Sequence, residues 1–179
     1  MPFTEEGLYY SDDIAFVNTA EYSRAAQHFM KYKCYTKAPE GTREYNEFWD
    51  VEEDRRKNGM TLPGKLVNGK LQEVHITGEH YGFLNYAQIF RTVMNEDDEE
   101  SLEGIIKKSQ HEIKSANKVM SFPDFMDGQY HYYTAKAVAT KLGKHFVQAK
   151  ARRKGFSYIE GWDAADTVNL NPFVTVLLT

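Results

Sequence analysis

The stretch His145-Phe146-Val147-Gln148-Ala149 followed by Lys150-Ala151-Arg152-Arg153-Lys154-Gly155-Phe156-Ser157-Tyr158 decides how the fold of this chain is read. The first five residues predict a short buried strand. A basic, glycine-containing turn follows, then a helix from about Ser157 to Leu170 and a second apolar run, Phe173 to Leu178. Strand, turn, helix, strand is a βαβ unit, and such a crossover joins parallel strands. The expected fold class is therefore α/β, the beginning of a parallel sheet preceded by an α+β N-terminal region. A lone βαβ unit cannot cover both faces of such a sheet.

The turn KARRKGFSY (150–158) also bears comparison with the phosphate loop G-x-x-x-x-G-K-[ST], in which backbone N–H groups cradle phosphates, a lysine meets the β/γ-phosphates and a hydroxyl meets Mg²⁺. Setting Gly155-Phe156-Ser157 on the G-K-S end puts Phe156 where the lysine belongs and Lys150 where the first glycine belongs. A long lysine at the loop entrance can still reach the same phosphates from the other side. Gly155 lets the backbone approach, and Ser157 opens the helix with its hydroxyl available to a metal. The alternative is a basic β-turn-α connection that holds no ligand.

Charge is divided along the chain in a way that bears on this choice. Residues 1–127 carry 15 Lys/Arg against 23 Asp/Glu, whereas residues 128–179 carry 7 against 3. From Gly128 to Ile159 every formal charge is positive. A local excess of cations attracts phosphate, on a nucleotide or on a nucleic-acid backbone. A solvated basic face is the other reading.

Working towards the N-terminus, Asp127 opens a predicted helix that carries Tyr133, Ala137, Val138 and Leu142 and ends at Gly143. Phe122-Pro123-Asp124 interrupts the pattern, which divides the chain into an N-terminal region, 1–120, and a second part, 121–179. Helices are predicted over 12–33 and, capped by Thr42, up to Asn58-Gly59. Asn68-Gly69 between two alternating runs predicts a hairpin. A further helix is expected from about Ser101 to Met120, after the acidic NEDDEESLE (95–103). Glu79-His80 invites an acid–base reading, but one such pair without a second carboxylate or nucleophile favours a packing role between two strands. The six histidines show no metal-ligand spacing, and zinc is not expected.

Four blocks carry a resemblance: FWDVEEDRR (48–56), HITGEHYGFLNYAQI (75–89), SFPDFMDGQYHYY (121–133) and the loop at 150–158. In this order they resemble tailed-phage terminase large subunits, the ATPases that package DNA into procapsids, over roughly residues 43–170. The loop resembles their deviant Walker A loop, with the lysine moved to its beginning. The resemblance implies a P-loop NTPase sheet with ATP and Mg²⁺ as cofactors. Lys150 would contact phosphate, Gly155 and Phe156 would belong to the loop, and Ser157 would be the Mg²⁺ ligand. Arg152 or Arg153 would sense the γ-phosphate or act as a finger in cis, and Gln129 and Tyr130 would stand near the adenine. Implied partners are double-stranded DNA, the portal and the small terminase subunit, with a homo-oligomer possible in principle.

No Walker B strand, catalytic carboxylate or nuclease segment can be placed in the chain, so it is expected to be either an excised front end of a longer protein or a shortened prophage reading frame. Hydrolysis by this chain alone is not expected. Two other functions stay open: an assembly module whose acidic N-terminal region docks another protein, and a nucleic-acid-binding fragment acting through residues 136–154. The absence of an apolar run of ~20 residues argues against a membrane span. The start, MPFTEEGLYY, lacks a signal-peptide layout, and Cys34 alone fits a reducing compartment. The host cell cytoplasm is the expected location.

Overall fold

The computed structural model describes residues 3–4, 7–8, 19–67, 70–92, 118–148 and 156–170. Strands β1 (Phe3–Thr4) and β2 (Gly7–Leu8) pair antiparallel. Two short helices follow, α1 (Thr19–Tyr22) and α2 (Arg24–Tyr32). Helix α3 (Arg43–Asn58) starts where the sequence says it should: the Thr42 hydroxyl accepts from the Tyr45 N–H at 3.3 Å. It stops at Gly59, whose φ of 80° is a conformation that favours glycine. Arg55, Arg56 and Lys57 fill the last turn, where the helix dipole favours cations.

Strands β3 (Met60–Val67) and β4 (Lys70–Ile76) form an antiparallel hairpin, with Met60 opposite Ile76 and Val67 opposite Lys70. The register slips between Pro63 and Leu66, where proline withholds a ladder N–H. Helix α4 (Gly78–Tyr86) comes next, its N-terminus capped by the Thr77 hydroxyl, which accepts from the His80 N–H. Strands β5 (Ile89–Thr92) and β6 (Lys118–Ser121) pair antiparallel. Helices α5 (Asp127–Lys141) and α6 (Phe156–Leu170) complete the described chain.

Helix α4 organises the packing. Tyr81 and Leu84 join Tyr22, Leu62 and Ile76 in one apolar cluster. Phe83 and Ala87, at the end of the same helix, join Tyr133, Phe156 and Ile159 in another. Asn85 ties the helix down: its amide donates to the carbonyls of Tyr22 (2.6 Å) and Tyr81 (3.0 Å), and its Oδ1 accepts from the Ala26 N–H at 3.2 Å. A buried amide with its partners in place specifies one docking of α4 rather than merely tolerating it. Contacts therefore run from α2 and α3 through α4 to α5 and α6.

The parallel sheet expected from the sequence is overturned. Each sheet among the described residues has two antiparallel strands, and the architecture is mixed α and β in broad terms only. His145–Gln148, read as the first strand of a P-loop NTPase sheet, is irregular and exposed, with Val147 90% accessible. A short apolar run carries no periodicity that separates a core strand from a surface connection. Here the run leaves the end of α5 across the surface, and Phe146 packs against Tyr132. The second expected strand, 173–178, lies outside the described residues, as do Asn68-Gly69 and most of the helix expected over 101–120. The end of that helix is corrected: Val119 and Met120 belong to β6. Gly78–Tyr86, read as a turn between strands, is helical.

Candidate functional site

The helix that follows the basic loop is held on three sides. Its buried stripe is Phe156, Ile159, Asp163 and Asp166, spaced by three or four residues. Phe156 packs edge-on to Tyr132 at 5.4 Å between ring centroids. Trp162 donates its indole N–H to the Glu79 carbonyl at 3.3 Å. The two aspartates meet cations from other helices. Lys136 of α5 lies 2.8 Å from Asp163 and 3.0 Å from Glu79, and Arg56 of α3 pairs with Asp166.

The Lys136 junction is electrostatically dense. Burial alone would lower the Lys136 pKa, but hydrogen bonds and charge from Asp163 and Glu79 raise it. Burial raises the Asp163 carboxyl despite the opposing pull of Lys136. Burial, with the nearby Asp163 charge, pushes the Tyr132 phenol up to about 12. The Tyr133 phenol is buried and raised by the same two causes. Among described residues, no three His, Cys, Asp or Glu side chains gather so as to hold a metal ion.

A second network ties α3 to α4. Glu52, 3% accessible, accepts from the Tyr81 and Tyr86 hydroxyls at 2.7 Å each and from Arg55 at 2.6 Å. The Arg56 guanidinium lies 5.2 Å from the Tyr86 ring and 5.9 Å from the Trp162 ring, within cation–π range.

Of the residues singled out in the sequence, Lys150, Arg152, Arg153 and Gly155 lie outside the described residues. Phe156 is a buried core side chain, and Ser157 is exposed in the first turn of α6. Gln129 and Tyr130 are 5% and 2% accessible in the first turn of α5. The Tyr130 ring packs on Phe125 at 5.7 Å. The fold thus joins Phe156 to Tyr132, but gives Gln129 and Tyr130 core surroundings. Glu79 and His80 do not form an acid–base pair. Glu79 binds Lys136, whereas His80 stacks on Tyr133 at 4.8 Å and 18°.

Sequence reasoning passed over Glu52, Arg56, Lys136, Asp163 and Asp166. Helical phase was the usable signal. Tyr45, Trp49, Glu52 and Arg56 recur at 4, 3 and 4 residues, one face of a helix, so a charge inside an aromatic stripe is legible as a buried one.

Burial drives the His80 pKa down to about 3, and neither ring nitrogen has a hydrogen-bond partner among the described residues. The unfolded chain takes up a proton near pH 6.5, whereas the folded chain does not until about pH 3. Protonation of His80 in the unfolded chain therefore removes stability as pH falls between those values, by about 1.4 kcal/mol per pH unit at most. His80→Phe keeps the stacked ring and abolishes the titration. Urea unfolding at pH 7, 6 and 5 should show a shallower loss of stability for the variant; parallel curves would contradict it.

No protein-family model, curated protein or solved structure matches the chain.

Proposed function

We propose that this chain is the nucleotide-binding front end of a viral DNA-packaging motor of the terminase large-subunit type, with the basic loop ahead of α6 receiving the phosphates of Mg·ATP. One observation carries the reading: the separate sequence blocks that resemble that family share one packed unit. Glu52 of the first block binds Tyr81 and Tyr86 of the second. His80 of the second stacks on Tyr133 of the third. Arg56 of the first reaches Asp166 on the helix that follows the loop. Four cations, Lys150, Arg152, Arg153 and Lys154, stand ahead of a helix whose first turn holds no acidic residue. A helix N-terminus favours anions, and added lysine and arginine strengthen that preference.

On this reading Lys150 makes the phosphate contact, Arg152 or Arg153 meets the γ-phosphate and Ser157 meets Mg²⁺. Double-stranded DNA, the portal and the small terminase subunit are then the partners, in a homo-oligomeric motor within the host cytoplasm. No described helix is long and apolar enough to cross a membrane.

Titrating labelled ATP with Mg²⁺ into the chain and two variants tests the proposal. A charge-assisted phosphate contact is worth about 1.5–3 kcal/mol. Lys150→Ala should therefore weaken binding by roughly one to two decades. Lys154→Ala should do much less, through long-range attraction that salt screens. Equal losses would leave only a diffuse basic patch. The absence of saturable binding would favour the second reading, an assembly module with a silent loop, for which Phe90, Val119 and Met120, exposed on the β5–β6 strand pair, already speak.

A further inference from the structure

We infer that Arg56 and Lys136 are positioning residues: by gripping the two buried aspartates of α6 from α3 and α5, they fix the orientation of the helix that follows the proposed phosphate loop. The inference rests on the nucleotide reading above and adds to it a mechanical link from Arg56, about a hundred positions upstream of the helix, and from Lys136 on the preceding helix.

The charge distribution makes the grip necessary. Helix α6 contains Glu160, Asp163 and Asp166 and no lysine or arginine. The dipole of a helix disfavours anions towards its C-terminus, and Asp166 lies in that half, with no basic residue in the last turn. Buried carboxylates need a partner or they cost several kcal/mol. The cations that neutralise them come from elsewhere. The Arg56 side chain is 17% accessible and its partner Asp166 is 5% accessible; for Lys136 and Asp163 the values are 27% and 10%. Such pairs are screened far less than surface ones.

Geometry spreads the hold over the helix. Phe156 and Ile159 anchor its first turns in the core beside Phe83 and Tyr133. Asp166 lies ten residues beyond Phe156, or about 15 Å along the axis. Lys136 binds at the intermediate position and also holds Glu79 of α4. Apolar contact at one end and ion pairs along the other half resist both tilt and rotation, neither of which a single contact point could prevent.

The test combines amide exchange with ATP affinity. The amides of Glu160, Gly161 and Trp162 are the first of α6 that can bond within the helix. In Arg56→Met they should exchange faster relative to amides of α2, and Mg·ATP affinity should fall by about fivefold or more. Arg56→Lys should restore much of both. Asp166→Asn supplies a milder break should Arg56→Met fold poorly, and Lys57→Met, which removes a surface pair with Glu53 on the same helix, should change neither quantity. Unchanged exchange at 160–162 in both Arg56→Met and Asp166→Asn overturns the grip whether or not ATP binds. Faster exchange with unaltered ATP affinity overturns its link to phosphate. Faster exchange in a chain that never binds ATP removes the nucleotide reading and reduces the grip to a structural one.

Discussion

Glu52→Ala should destabilise the chain by about 3–5 kcal/mol, the range found when one partner of a buried charged pair is removed. Three donors converge on this carboxylate, one guanidinium and two phenols, and it is all but inaccessible to water. Alanine would leave the Tyr81 and Tyr86 hydroxyls without their acceptor and the Arg55 charge without its partner. Each buried orphan donor alone costs about 1–3 kcal/mol. Glu52→Gln keeps an oxygen for part of the network and should cost less, so the two variants separate the charge from the hydrogen bonds. Urea unfolding at pH 7 measures both. A loss below about 1 kcal/mol for Glu52→Ala would mean that the network contributes little net stability, as replacing whole buried ion pairs sometimes shows.

The second large effect is expected at Gly78, the first residue of α4. A β-carbon there would stand 2.2 Å from the Arg56 carbonyl oxygen, 2.7 Å from its carbon and 2.9 Å from the Lys57 carbonyl carbon. All three atoms are backbone in the last turn of α3, so no side-chain rotation can relieve the contact. Overpacking commonly costs about 1–3 kcal/mol and more where nothing yields; Gly78→Ala should reach the upper end. Gly82→Ala makes the informative comparison. Its β-carbon would come within 2.8 Å of the Trp162 ring, a side chain that can shift. Thermal unfolding should rank Gly78→Ala as the more damaging, and the reverse order would show that the α3–α4 contact is more compliant than its geometry indicates.

Much of the helical framework was legible in the sequence because its signals are local. Thr42 and Gly59 bracket α3, Gly143 lies just beyond α5, and the alternating runs on either side of Asn68-Gly69 specify the β3–β4 hairpin. What escaped detection depends on distant partners. Helix α4 is buried nearly all round, so it has no polar face to give it a period, and its two glycines lower its helix propensity. Strand β6 exists through pairing with β5, more than twenty-five residues earlier, and Val119-Met120 taken alone fit a helix equally well. Phe146-Val147 has the apolar character of a core strand, but pairs with no strand among the described residues. At the candidate site the loop residues Lys150 to Gly155 lie outside the described residues. The hold on the following helix was not legible in the sequence, because Arg56 and Asp166 are 110 positions apart.

The central place of α4 also bears on how the chain is made. Tyr81, Phe83 and Leu84 leave the ribosome early, but Phe156 and Ile159, which cover one side of the helix, are translated about seventy residues after α4 ends at Tyr86. At about 5–20 residues per second the delay lasts roughly 4–14 s. During that interval one flank of the most buried of the described helices has no permanent cover. Nascent-chain solubility should therefore depend on translation speed between residues 87 and 166, and on chaperones able to shield a short aromatic helix until its last neighbour arrives.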